Sequence, residues 1–257
     1  MEKKLQSFER LLNIMDRLRV ECPWDKKQTM ESLRTLTIEE VYELADAVFD
    51  KNLPEIKTEL GDVLLHIIFY SKIGSELGEF DISDVINSLC DKLIFRHPHI
   101  FGTVQAQTAR EVADNWEQIK ITEKGNKRVL GGIPKSLPAL MKANRIQDKV
   151  RGVGFDWDER SQIWDKVNEE LNELHHEIET ADNDKIEAEF GDLLFSLINA
   201  ARLYDINPEN ALERTNRKFI KRFNYLEDKT IRNGRSLKEM SLDEMNVIWE
   251  EAKAFDN

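Results

Sequence analysis

The sequence is short of the residues that build disulfide, sheet or membrane proteins. It has two cysteines, Cys22 and Cys90, with neither a Cys-x-x-Cys pairing nor a metal-ligand spacing, so no disulfide scaffold and no zinc site is expected. Eleven glycines and six prolines in 257 residues argue against a turn-rich sheet protein. No apolar run approaches the length of a membrane span. Positive charge is scarce too: 37 basic against 49 acidic residues leave a net charge of -12. Such a surface repels nucleic acid and anionic membrane, and a polyanionic substrate bound to it requires a cation. Met1 to Val20 lacks a signal-peptide pattern and reads as an amphipathic helix with Leu5, Phe8, Leu12, Met15 and Leu18 inward, which suits a cytoplasmic protein.

What is abundant is Leu, Ile, Glu and Lys, within a chain that is 40% hydrophobic and 33% charged; the expected fold class is all-α. The chain also repeats itself. Glu39, Glu40 and Glu43 recur as Glu169, Glu170 and Glu173, and Glu59, Gly61 and Asp62 as Glu189, Gly191 and Asp192, always 130 residues apart. Leu44/Leu174, Ile56/Ile186 and Leu64/Leu194 keep the same frame. With small changes of offset, Trp24-Asp25 pairs with Trp157-Asp158, Lys92 and Arg96 with Lys218 and Arg222, and Trp116 and Lys120 with Trp249 and Lys253. Duplication accounts for the pattern, with two helical units expected at 1–124 and 125–257 and a Gly/Pro-interrupted boundary between Thr122 and Leu137. Beyond it Leu140 to Val150, with Lys142, Arg145 and Lys149, reads as a solvated interdomain helix, with contact to phosphate as the alternative.

Residues three apart share a helix face, so Glu170 and Glu173 project together, as do Glu189 and Asp192 from the next helix. Antiparallel packing of the two helices gathers four carboxylates, whose repulsion calls for a cation; an all-oxygen set selects Mg²⁺, or Mn²⁺ as a substitute. A solvated acidic stripe is the bland alternative. Against it, Glu189, Asp192, Ser196 and Asn199 form one polar line on a helix otherwise covered by Phe190, Leu193, Leu194, Phe195, Leu197 and Ile198. A helix so apolar is expected to be largely buried, its polar line facing an interior cleft.

These residues carry a resemblance to the MazG family of all-α nucleoside triphosphate pyrophosphatases, whose signature is Glu-Glu-x-x-Glu followed about fifteen residues on by Glu-x-x-Asp. Both copies fit it, and the likeness extends to Gly154–Trp157 and to the Asn-x-Lys-Phe-x-x-Arg-Phe stretch from Asn216 to Phe223. The resemblance implies metal-dependent hydrolysis between the α- and β-phosphates of a nucleoside triphosphate, releasing monophosphate and pyrophosphate. The catalytic set is then Glu169, Glu170, Glu173, Glu189 and Asp192, the last four as metal ligands, with Glu40, Glu43, Glu59 and Asp62 as a second metal set. The pairs Lys218/Arg222 and Trp249/Lys253, each four apart, offer cations to phosphate and an indole to base or ribose; for Trp249 a core or interface anchor is an equal alternative.

The copies differ around the acids. Lys166 and Lys185, each four residues before a ligand acid, are replaced by Leu36 and Glu55 in the first copy, Asn199 by Phe69, and Asn216 by Cys90. The second copy is therefore expected to be the main catalytic one, with these lysines and Asn199 reaching substrate. The first, with its His97-Pro98-His99 loop, is left to weak binding or assembly. A homodimer is expected, because helical units this apolar need covering. Two other readings stay open at this point. A ferritin-like di-iron protein would use Glu-x-x-His twice, and only Glu173-Leu174-His175-His176 matches, Asp46 standing in the other copy. A non-catalytic helical module binding nucleotide or protein is the second.

Overall fold

The computed structural model describes residues 1–104, 128–232 and 234–255, with 108, 111, 112, 115, 116 and 119 between the first two stretches. The expected boundary at 124/125 and Lys120 lie outside the described residues. Two compact units divide the chain, Met1–Gln107 and Thr108–Asn257. Among the described residues all regular structure is helical.

The first unit contains α1 (Glu2–Glu21), α2 (Met30–Phe49), α3 (Leu53–Glu76), α4 (Ile82–Arg96) and the single turn α5 (Pro98–Phe101). Thr29 starts α2 by a reciprocal cap: its hydroxyl accepts from the Ser32 amide at 3.2 Å while Ser32 Oγ accepts from the Thr29 amide at 2.9 Å. α2 and α3 form a hairpin. Its turn needs a left-handed residue, supplied by Lys51 at φ 54°, and Asn52 then caps α3. Met15, Leu33, Ile68, Phe69 and Ile73 are the buried core, flanked by Phe8, Leu11, Leu12, Leu65 and Tyr70.

The second unit contains α6 (Ala139–Arg151), α7 (Ile163–Thr180), α8 (Asn183–Leu203), α9 (Pro208–Arg232) and α10 (Leu242–Lys253). α7 and α8 repeat the hairpin, with Ala181 at φ 59° in the turn and Asp182 as the cap. α6 packs on α8 and α9, and α9 on α10. One buried cluster is Ile163, Val167 and Ala200, with Leu193 and Leu203 against them, and Leu174, Ile198, Leu226 and Ala252 are buried as well.

Three expectations need correction. Leu5 and Leu18 of α1 are exposed, at 62% and 37%, because only the Phe8, Leu12 and Met15 part of the stripe packs on the α3 side of the core. α6 is not a solvated connector, since Gln147 and Lys149 are buried within the unit. α8 is not largely buried, with Phe190, Leu194 and Leu197 between 41% and 58% exposed. One hairpin covers one face of such a helix and leaves the other open. α2 and α3 share this condition at Val41, Tyr42, Leu60 and Ile67.

Candidate active site

The hairpin α7–α8 sets the site. Glu170 and Glu173, one turn apart on α7, meet Glu189 of α8 so that one carboxylate oxygen of each lies within 4.8 Å of the others. Glu170 is buried, and Glu189 Oε2 is a buried atom with no hydrogen-bond partner. The Glu173 pKa is raised from its usual value, through desolvation first and then the charges of Glu170, Glu169 and Glu189. Converging oxygens and an orphaned buried acceptor form a group that could hold a metal ion. Lys166 Nζ lies 2.8 Å from Glu170 and 2.9 Å from Glu169, so part of the acidic charge is already compensated. Asp192 stands in the wall of the adjoining cavity, outside the three-oxygen group.

That cavity, about 510 Å³, is lined by Lys166, Glu170, Asp192, Ser196 and Asn199 together with the apolar Ile146, Val150 and Phe155. The Gly154–Trp157 stretch forms part of its lining, and Asp156 is tied to Arg202 of α8 by an ion pair. Burial works against ionising Asp156, but hydrogen bonds from Arg202 and the Trp157 amide, with the Arg202 and Arg151 charges, outweigh it and hold this carboxyl below its usual value. Arg202 Nε also donates to Asn199 Oδ1 at 2.9 Å, fixing that amide. Ser196 was expected only as part of the polar line of α8, and Asp156, Arg202 and Gln147 had no assigned role. The Gly-Phe-Asp-Trp stretch was the visible signal for Asp156; burial of a glutamine on a basic helix leaves none.

Other expected substrate residues lie elsewhere. Lys185 pairs with Glu177 of α7 at 3.8 Å, because the neighbouring helix offers it a carboxylate off the Glu189 line. Lys218 sits in a separate recess of α9 with Arg214, Arg217 and Lys221. The Arg222 guanidinium is 5.5 Å from the Trp249 ring centre, and Trp249 packs on Phe219 at 4.9 Å, at the contact of α9 with α10. Lys253 pairs with Glu250. These five are not among the residues lining the carboxylate cavity.

The first unit repeats the acids without the cavity wall. Glu40, Glu43 and Glu59 converge within the same 4.8 Å. Desolvation, then the Asp62, Glu43 and Glu39 charges, raises Glu40; desolvation, then Glu43, Asp62, Glu40 and Glu55, raises Glu59. Where Asn199 stands in the second unit, Phe69 is 2% exposed in the core, with Arg19 stacked over it at 5.6 Å. The place of Ser196 is taken by His66, buried, its Nδ1 2.9 Å from Thr37 Oγ1, which is 2.9 Å from Tyr70 Oη. Burial keeps His66 below its usual value against the Asp62 charge. In the first unit His66 Nε2 lies 3.9 Å from Glu40 Oε1, but His66 belongs to no Glu-x-x-His pair, and His175 and His176 of the second unit are exposed, so the Glu-x-x-His pattern of a di-iron centre is not assembled among the described residues.

Comparison with known proteins decides the family. The MazG nucleotide pyrophosphohydrolase domain matches residues 28–101 and 159–226, each stretch holding one carboxylate hairpin. The chain belongs to the MazG family. It is 44% identical over 253 residues to the nucleoside triphosphate pyrophosphohydrolase/pyrophosphatase MazG of Thermotoga maritima, a match covering 97% of this chain and 96% of that protein. The nucleoside triphosphate pyrophosphohydrolase of Escherichia coli is 40% identical over 257 residues, covering 97% and 98%. The uncharacterized protein YabN of Bacillus subtilis is 45% identical over 235 residues, 90% of this chain and 48% of that protein. Both MazG matches leave out α1 and α6, the helices that pack against α3 and α8.

Proposed function

We propose that this nucleoside triphosphate pyrophosphohydrolase works in its second unit, with Glu170, Glu173, Glu189 and Asp192 holding Mg²⁺ and the adjoining cavity holding the nucleotide. One observation carries the reading: the same carboxylate group occurs twice, but it opens on a lined cavity with Lys166 and Asn199 in the second unit and on a closed core with Leu36 and Phe69 in the first.

The bound ion supplies charge screening for the triphosphate and a lower pKa for water. The chain supplies the rest. Lys166, held between the acids and the cavity, is placed to meet the phosphates once substrate displaces it from Glu170. Glu169 is exposed and stands outside the three-oxygen group, which leaves its carboxylate to accept the proton of the attacking water. Asn199, oriented by Arg202, gives the cavity a fixed amide. The anhydride between α- and β-phosphate is the bond broken, and monophosphate and pyrophosphate leave without a covalent enzyme intermediate. The exposed apolar faces of the two hairpins support a homodimer. Two free cysteines and a nucleotide substrate fit the cytoplasm.

The test is to give the second unit the first unit's residue. Asn199→Phe is expected to lower kcat/KM for nucleoside triphosphates by about 100-fold through blocked binding, with the helical circular dichroism and melting curve retained. Undiminished turnover would place the reaction elsewhere. Metal removal gives a second result: chelation should bring pyrophosphate release to background, Mg²⁺ or Mn²⁺ should restore it, and iron should be dispensable. A colourless protein that makes no monophosphate from any nucleotide under these conditions would instead be a binding module.

A further inference from the structure

Gln147 is a buried polar residue for which phosphate chemistry has no use. Its side chain is 3% exposed on α6 and lines the cavity. Nε2 donates to the main-chain carbonyl of Phe195 at 2.8 Å, while Oε1 is buried with no hydrogen-bond partner. The first contact fixes the amide, because a carbonyl can only accept: the nitrogen must face Phe195 and the oxygen must face away. A buried acceptor left unpaired is rare in folded chains and marks a place where another molecule donates.

The first unit supplies the contrast. Ile14, Asp16 and Arg19 correspond to Ile146, Asp148 and Arg151, all 132 residues on, and this frame puts Met15 opposite Gln147. Met15 is 1% exposed in the apolar core and borders a smaller recess of about 230 Å³. The amide thus occurs in the unit whose cavity joins the carboxylates to Lys166 and Asn199. Triphosphate oxygens are acceptors and cannot satisfy Oε1, and the surroundings, Ile146, Val150, Phe155 and Trp157, suit a flat heteroaromatic ring.

We infer that this apolar part of the cavity is the base subsite and that Gln147 Oε1 reads the base by accepting an N–H from its edge. The donor is the amino group of adenine or cytosine, or the ring N–H of guanine or uracil. The inference rests on the second unit being the catalytic one.

The experiment compares ATP with purine riboside 5′-triphosphate, which has the same ring system without the amino group, in the full-length wild type and in Gln147→Met. Wild type is expected to favour ATP about tenfold in kcat/KM, mostly through KM, as one hydrogen bond to a buried acceptor allows. In Gln147→Met the ratio should fall to near one, with ATP dropping toward the purine riboside value. An unchanged ratio, as expected if a ribose hydroxyl were the donor, overturns the inference. So does an equal fall for both nucleotides, which would mean that Gln147 only holds α6 on α8. Glu173→Gln, measured in parallel, separates the two ideas: full pyrophosphate release from that variant would sink the second-unit assignment itself, whatever the ratio.

Discussion

Glu173→Ala should abolish pyrophosphate release, a loss on the order of 10²–10³ in kcat or more, whereas Glu43→Ala should leave most of it. The two residues are each other's counterparts, and each contributes an oxygen to a group of three. Their surroundings make them unequal. Glu173 belongs to a group whose neighbour Lys166 and adjoining cavity offer a polyanion a cation and a place to lie. Glu43 belongs to a group whose counterparts of Lys166 and Asn199 are Leu36 and Phe69, both in the apolar core. Initial rates of pyrophosphate formation at saturating Mg²⁺, with melting curves of both variants as the control for folding, decide it. Activity that survived at Glu173→Ala and vanished at Glu43→Ala would move the reaction to the first unit.

The second large effect is on stability. Phe69→Ala should destabilise the first unit by about 3–5 kcal/mol, the range for emptying a buried aromatic site. Phe69 is 2% exposed among Met15, Leu33, Ile68 and Ile73, and also carries the Arg19 guanidinium, so both packing and stacking are lost. Asn199→Ala at the matching place should shift stability far less, because Asn199 faces a cavity and not a packed core. Urea unfolding followed by hydrogen exchange of α3 and α8 amides reports the two units separately. Equal loss at both positions would show that the second cavity is as tightly filled as the first core.

The carboxylate groups were legible in the sequence because their geometry is local. Three-residue spacing puts Glu170 and Glu173 on one face whatever surrounds them, and a four-residue spacing puts Lys166 on Glu170. What a second helix adds was not legible. Lys185 obeys the same spacing toward Glu189 and also lies 3.8 Å from Glu177 across the hairpin. Trp249, read equally as a ligand group or an anchor, and Arg222 meet at the α9–α10 packing beside Phe219. An apolar α8 also reads the same whether its neighbour is its own chain or another, which is why its open face was mistaken for a buried one. Gln147 was invisible because a polar residue on a helix rich in Lys and Arg looks solvated until α8 is placed against it.

Lys51 and Ala181, the left-handed residues of the two hairpin turns, also act as a ruler. One residue added at such a turn would rotate every later side chain by about 100° about the helix axis and carry Glu59 or Glu189 away from its partners. The two copies bear the mark of that constraint. Their offset is 130 throughout the hairpin, but 132 at Met15/Gln147, 133 at Trp24/Trp157 and 126 at Lys92/Lys218. Since the duplication the chain has gained and lost length on both sides of the hairpin, while the count from the first acid to the last has stayed the same in both copies.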